Sequence, residues 1–231
     1  LIRVMELTNE ARMESGLHDA LPDDAALALL DPDFLDRYRK QVLGAPKAYR
    51  GTTHISVIDG EGNAAALTLS NGEGSGFVLP GTGMMLNNML GEEDINPNGF
   101  HAWPTNTRMC SMMSPTLIIE PEGRLTALGS GGSNRIRTAI LQVLANVLDF
   151  GMNLPEAIDA PRCHFEQDIL NLEAGFTEET LAALAAHWPN LKAWDERNLF
   201  FGGVHAVRAD FSTGEMCGAG DLRRGGVALS L

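Results

Sequence analysis

The sequence predicts an α+β layered fold over residues 52–231, with stacked sheets covered by helices. Three observations carry this. Short apolar stretches come in pairs around tight polar turns: THISVID and NAAALTLS flank GEG, while SPTLIIE and RLTALGS flank PEG. A long helical pattern follows the second pair instead of alternating with single strands. No internal repeat and no linker-like stretch divides the segment, so strand pairs and helices should pack as layers of one unit.

The elements can be taken in order. Residues 1–48 read as helical, with Val4, Leu7, Ala11 and Leu17 at near-helical spacing. Asp31-Pro32 opens a second helix through FLDRYRKQVL, with proline in the first turn. Gly44-Ala45-Pro46 and Arg50-Gly51 break the pattern, and the segment reads as the tail of something larger. The first strand pair follows, then a glycine-rich tract, NGEGSGFVLPGTG, then MMLNNML and a polar loop holding Pro97 and Pro104. After the second strand pair, Ile136, Ile140, Val143, Leu144 and Val147 mark one face of a long helix that Gly151 stops. LPEAIDA is a short helix and DILNLE a strand. TEETLAALAAHW is a helix capped by Thr177, with Glu179 in its first turn. GGVHAVRAD and GEMCGAGD form a last hairpin.

Composition bounds the function. The 231 residues are 44% hydrophobic and 20% charged, as in a globular chain with a sizeable core. A net charge of -13 disfavours nucleic acid and anionic membranes, yet leaves room for a local cationic pocket that takes an acidic substrate. No run of about 18 apolar residues predicts a membrane span. There is no signal peptide, and the chain opens at Leu1 rather than Met, so it reads as a fragment whose missing start could hold a targeting segment. Cys110, Cys163 and Cys217 cannot all pair and form no C-x-x-C; they are expected to be buried small hydrophobes. No H-E-x-x-H and no compact His/Cys cluster appears, so neither a metal nor another cofactor is expected.

The chemistry gathers at Gly51-Thr52. A threonine hydroxyl is a poor nucleophile without a neighbouring base, and one solution is to make threonine the first residue of a chain, so that its α-amine serves. That requires cutting the bond before it. Glycine at 51 leaves room at the carbonyl and permits a strained backbone. Acyl transfer also needs fixed donors where negative charge develops. LGSGGSNRI runs from a strand through Gly131-Gly132 into the long helix, and consecutive amides at such a junction form an anion-binding nest. The stretch lacks the G-x-x-x-x-G-K-[ST] pattern of a phosphate loop.

Together, TTHISVIDGEGNAAALT, LNNM, SMMSPT, GSGGSNRI, LQVLANVLDFGMNLPEAIDAPRCH and GDLRRGG resemble the small subunit of γ-glutamyltranspeptidases, nearly end to end over 52–231. These are N-terminal nucleophile hydrolases made as a precursor that cuts itself before a threonine. The resemblance implies a four-layer αββα sandwich, with 52–231 as the catalytic small subunit. Residues 1–51 would be the C-terminal tail of a large subunit that holds the arginine for the substrate carboxylate. It implies Thr52 as nucleophile, Gly51-Thr52 as the cleavage site, and Gly131 and Gly132 as the oxyanion pair, with a one-residue ambiguity toward Ser133. Asn71 would help to hold substrate and nucleophile. Ser70 would be the hydroxyl near the nucleophile's amine, with Thr68 competing. Ser111 matches the first serine of the family's S-S-M-S-P-T, and Met112 stands where the second should be. Glu92, or Glu93 beside it, falls where an acid reads the substrate α-amine.

Other residues admit plainer roles. Glu73 is acidic beside the site, and Arg108 could meet an acidic substrate or a carboxylate of the chain itself. His54 and His164 read as structural, by hydrogen bonding. The resemblance thus implies γ-glutamyl acyl transfer or hydrolysis on a small-molecule or peptide substrate, with the large subunit as partner. The alternatives are a related acylase, a poly-γ-glutamate-processing enzyme, or an inactive unprocessed fragment that associates through its uncovered face. The sequence itself fixes no compartment; bacterial members are often periplasmic or extracellular.

Overall fold

A computed structural model describes residues 51–92, 95–99, 101–121 and 123–230. The helices expected before residue 48 lie outside the described residues, as does Glu93. In chain order the elements are β1 (Thr52–Ile58), β2 (Ala64–Ser70), β3 (Thr116–Ile119), β4 (Arg124–Gly131), α1 (Arg135–Leu148) and α2 (Leu154–Asp159). Then come β5 (Cys163–Glu166), β6 (Ile169–Leu172), α3 (Glu178–His187), β7 (Leu191–Ala193), β8 (Gly203–Asp210) and β9 (Glu215–Ala219).

Turn chemistry sets the first hairpin. The Asp59 carboxylate accepts from the amides of Glu61 and Asn63, each at 2.9 Å, and from Asn63 Nδ2 at 2.8 Å. The register that follows pairs Thr52 with Ser70 and Ile58 with Ala64. The second sheet is antiparallel, in the order β3-β4-β8-β9. Period-two alternation gives it two faces. On one, Leu128, Val204 and Ala206 meet Ile136, Ala139, Ile140, Val143 and Val147 of α1, joined by Leu154, Ala157 and Ile158 of α2. Each of the larger side chains contributes about 1.5–3 kcal/mol by leaving water. The other face receives the β1–β2 hairpin. Helix α3 starts as expected, with Thr177 Oγ1 accepting from Thr180 N at 3.2 Å. After α1, Gly151 takes φ +65°, the left-handed stop expected of it.

The hairpin has an inverted polarity. Thr52, His54, Ser56, Thr68 and Ser70 face the β4–β8 sheet, whereas Ile55, Val57, Leu67 and Leu69 are 49–53% exposed on the outer face. An apolar face of this kind marks a surface built to be covered. Among the described residues, α1 and α2 pack on the β4–β8 sheet, a mixed arrangement of helices and sheets, and β1 pairs only with β2.

The sheet β5-β6-β7 was only partly expected, through β6. Its β5 is a four-residue strand and β7 a three-residue one, too short for a periodic signal, and β7 joins by a parallel pairing to β6. The cysteines also differ from expectation: Cys110 and Cys217 are exposed and Cys163 is half-buried. Cys110 lies in the coil before β3, and Cys217 lies on the edge strand β9, where only one neighbour covers it. No helix among the described residues is long and apolar enough to cross a membrane.

A buried ionic hub closes the C-terminal end. Asp221 accepts from Arg162 Nη2 at 2.7 Å, Val204 N at 2.9 Å and Arg223 N at 2.9 Å. Arg223 also donates to Glu173, from Nε at 2.7 Å and Nη2 at 2.5 Å, and to the carbonyls of Ile158 and Ala160. GDLRRGG, one of the matched motifs, thus ties α2, β6 and β8 together.

Candidate active site

The polar column of the hairpin ends at Thr52. Its Oγ1 lies 2.9 Å from Ser70 Oγ, its register partner on β2, and Ser70 Oγ accepts from Gly72 N at 3.1 Å. The Ser70 and Thr68 alternatives therefore separate: Ser70 meets Thr52, and Thr68 meets His54 at 2.7 Å.

Gly51 is held on both sides. Its N–H donates to Gly72 O at 2.8 Å, and its carbonyl accepts from Asn71 N at 3.2 Å. A Cβ at residue 51 would run into the Asn71 side chain and stand 2.8 Å from Gly72 O. Only glycine fits, for a reason the sequence did not show: the asparagine that follows β2 presses against it.

The first glycine of the pair lies beside Thr52. A Cβ at Gly131 would come 2.9 Å from Thr52 O and 3.4 Å from Thr52 Cβ. Gly131 still belongs to β4, paired with Gly203. The turn proper is one residue on, with φ +138° at Gly132 and +54° at Ser133, and α1 begins at Arg135. Successive amides in such a turn converge on a point in space, and the helix N-terminus adds partial positive charge. The earlier ambiguity thus splits into two geometries: Gly131 gives clearance to Thr52, and Gly132-Ser133 form the turn.

Glu92 is drawn into the same cluster. Its Oε2 accepts from Ser133 Oγ at 3.3 Å, and a Cβ at Gly72 would be 3.2 Å from its Oε1. Asn88 N donates to Asn71 O at 2.9 Å, so LNNM packs on the loop that holds Gly51. Glu73 is exposed, next to Asn71. Ser111 is exposed and Met112 half-buried in the coil before β3; neither is hydrogen-bonded to Thr52, Ser70 or Glu92. Arg108 is exposed and makes no ion pair among the described residues.

Sequence reasoning missed two contributors. Arg224 lays its guanidinium against the glycine turn: Nη1 would be 3.3 Å from a Cβ at Gly131, and its Cδ 2.6 Å from one at Gly203. The doubled arginine in GDLRRGG was the available signal. Glu166 gathers the N-terminus of α1, accepting from Asn134 Nδ2, from Arg135 Nη1 at 3.4 Å and from His164 Nε2 at 3.3 Å. His164 Nδ1 is 2.9 Å from Thr138 Oγ1. Burial keeps His164 below its ordinary pKa even against the pull of Glu166. Among the described residues there is no cluster of three metal-ligating side chains.

The arrangement offers the Thr52 hydroxyl beside Ser70, the Gly51 carbonyl held by Asn71 N, and, next in sequence to the Gly131 that meets Thr52, a turn opening α1. That is the equipment of acyl transfer. Comparison with known proteins gives the family. A family model described as Gamma-glutamyltranspeptidase matches residues 5–231. A glutathione hydrolase proenzyme of Escherichia coli strain K12 is 36% identical over 156 residues, covering 62% of this chain and 27% of the relative. An acylase ACY 1 proenzyme of Pseudomonas sp. strain V22 is 37% identical over 138 residues, covering 58% and 25%. The solved gamma-glutamyltranspeptidase from Pseudomonas nitroreducens superposes with a TM-score of 0.65 at 29% identity, covering 78% of this chain and 99% of that one. The chain spans about a quarter of the length of these curated relatives.

Proposed function

The chain belongs to the gamma-glutamyltranspeptidase family, and we propose that it carries the nucleophile and anion-binding turn of an enzyme that cuts itself before Thr52 and then transfers or hydrolyses a γ-glutamyl-type acyl group. The observation that carries this reading is the seat of Thr52: its hydroxyl bonded to Ser70 and its backbone against Gly131, which runs straight into the Gly132-Ser133 turn.

In the self-cleavage step, Thr52 Oγ1 attacks the Gly51 carbonyl carbon. The Asn71 amide, already 3.2 Å from that oxygen, donates to the developing negative charge. The C–N bond breaks as the nitrogen takes up a proton, leaving Gly51 esterified to the threonine oxygen. Water then hydrolyses the ester and frees the Thr52 amine. While Gly51 and Thr52 stay joined, that nitrogen is an amide and cannot act as a base, so the uncleaved chain does not turn over.

In turnover, the free amine takes the Thr52 hydroxyl proton as the oxygen attacks the substrate acyl carbon. The Gly132 and Ser133 amides donate to the oxyanion. The leaving amine departs with a proton, and water or an amine acceptor releases the acyl group. Glu92 would meet the substrate's α-amine, a reading supported by its contact with Ser133, and Asn71 would hold substrate and nucleophile. Ser111 and Met112 would border the substrate carboxylate, an assignment that rests on the motif alone.

Residues 52–231 are then the catalytic unit and 1–51 the tail of a large subunit. Further residues of the precursor would cover the apolar face of β1–β2 and complete a four-layer αββα sandwich. A second reading, an acylase with a different acyl specificity, is favoured by Met112, which removes a hydroxyl from the substrate-carboxylate side, and by the acylase relative at 37% identity.

The test uses the full-length protein. Thr52→Ala is expected to abolish both cleavage at Gly51-Thr52, read by N-terminal sequencing, and release from γ-glutamyl anilides. Thr52→Ser should keep part of each, because the hydroxyl and amine survive while the rotamer-restricting methyl is lost. Normal cleavage in the alanine variant would refute the assignment. Preference for other acyl anilides would select the second reading.

A further inference from the structure

His54 lies two residues after the nucleophile on the same face of β1 and is only 5% exposed. Its ring nitrogens are both occupied: Nδ1 lies 2.7 Å from Thr68 Oγ1 and Nε2 2.8 Å from Ser56 Oγ. A neutral imidazole needs one donor and one acceptor partner, and two rotatable hydroxyls serve either tautomer. The ring is therefore held in place from both sides.

Below it is Gly129. A Cβ there would stand 2.8 Å from His54 Nε2 and closer still to two other ring atoms, distances real Cβ contacts essentially never show. Gly129 has no positive φ, so the turn does not require glycine at that position. What requires it is the ring. The neighbouring contact in the same direction is Thr52 over Gly131. Both strands step by two residues per side chain on one face, so β1 lies across β4 with Thr52 and His54 set into a track made by Gly131 and Gly129. The first contact is the proposed catalytic one. The second is deep, ring-shaped and hydrogen-bonded, and it is the one that can define the height and register of β1.

We propose that His54 is a positioning residue for Thr52: its ring, seated over Gly129 and pinned by Thr68 and Ser56, fixes β1 on β4 so that the Thr52 hydroxyl stays beside the Gly132-Ser133 turn. The claim rests on the proposed role of Thr52. It assigns Gly129, the first glycine of GSGG, a purpose distinct from anion binding.

The experiment is a double-mutant cycle in the full-length protein, with Thr52→Ala as control. His54→Ala removes the ring and leaves the seat empty. Gly129→Ala fills the seat and pushes the ring out. Each is expected to lower kcat by roughly 10–100-fold, the scale of an ångström-level misplacement, with KM moving less than about threefold because neither residue meets substrate. The double variant should lose no more than about the larger single loss instead of the product of the two, since the added methyl then enters space the ring has vacated. Where Gly129→Ala fails to fold, the double variant is expected to fold. Additive losses, a double variant that also fails to fold, or single variants that melt lower yet keep full kcat would each overturn the proposal. Absence of Thr52-dependent turnover in the unaltered protein would refute the proposed function itself, a result separable from loss of coupling in an active enzyme.

Discussion

Replacing Asp221 with alanine removes the acceptor at the centre of the C-terminal hub. The carboxylate is 2% exposed and serves Arg162 Nη2 and the amides of Val204 and Arg223. Burial alone would raise its pKa, but Arg162 and Arg223 outweigh that and hold it below the ordinary carboxylate value. After truncation Arg223 still has Glu173, at 2.7 and 2.5 Å. Arg162 does not fare so well. Its side chain is 2% exposed, and of its charged partners only Asp221 is hydrogen-bonded to the guanidinium. An uncompensated buried cation of this kind costs about 3–5 kcal/mol. For a domain of this size about 1 kcal/mol moves the melting temperature by 2–4 °C, so Asp221→Ala should melt roughly 6–20 °C lower. Asp221→Asn keeps an acceptor oxygen and should fall between. Asp159→Ala is the contrast: it also breaks an arginine–carboxylate pair, with Arg197, but those side chains are 38% and 58% exposed, and exposed pairs are worth about 0–1 kcal/mol. Thermal and urea denaturation of the three variants decides the matter. A loss below about 2 °C in Asp221→Ala, or equal losses in Asp221→Ala and Asp159→Ala, would refute the reasoning.

Two further outcomes are expected. His54 is held at a pKa of about 4, against an ordinary 6.5, first by burial and then by His205; His164 and His205 are lowered in the same direction, chiefly by burial. A lowered histidine pKa means the unfolded chain binds more protons, so the stability is fully present above pH 6.5 and is lost as pH falls toward 4. The His54 share is on the order of 3 kcal/mol. Urea midpoints measured from pH 7.5 to 4.5 should fall, and His54→Gln should flatten the slope; an unchanged slope would count against a buried neutral ring. The second outcome concerns the outer face of the hairpin, where Ile55 and Leu67 are directly opposed. Residues 1–231 expressed alone should associate, and Ile55→Lys with Leu67→Glu should raise the monomer fraction in light scattering. A monomer at all concentrations without the substitutions would argue that this face needs no cover.

The strand pairs were legible because their signal is local. Asp59, Gly62 and Asn63 encode the first hairpin by themselves, and alternation in THISVI and AAALTLS gives the strands. The same alternation did not say which face is inside, because the usual rule is reversed here: Thr52, His54 and Ser56 point inward while Ile55 and Val57 point out. Such a reversal is set by what the hairpin packs against, which no window of sequence contains. That Thr52 and Gly131 meet was expected from ordered motifs. The partners of Arg162, 59 residues from Asp221, and of Glu92, 41 residues from Ser133, were not. Contacts at that separation depend on topology, as does the edge position that leaves Cys217 uncovered.

The chemistry and the scaffold meet at one arginine pair. Arg223 turns inward to Glu173 and Asp221 and is buried, whereas Arg224, the next residue, reaches the other way to Gly131, Gly132 and Gly203. A short 3-10 turn, Leu222–Arg224, separates the two directions, and it is fixed at its start because Asp221 Oδ1 accepts from Arg223 N. The hub therefore sets where the Arg224 guanidinium lies, and that guanidinium shares the Gly131 backbone with Thr52. A change at Asp221 should thus reach Thr52, the proposed nucleophile, by two routes: through β8, whose first residues pair with Ser130 and Gly131 and whose Val204 amide the carboxylate holds, and through Arg224. A variant such as Asp221→Asn, folded at low temperature, separates stability from alignment. If the hub only stabilises, any kcat at 10 °C equals that of the unaltered protein. If it also aligns the glycine turn, kcat falls while the protein remains folded, and the geometry of the arginine pair favours that outcome.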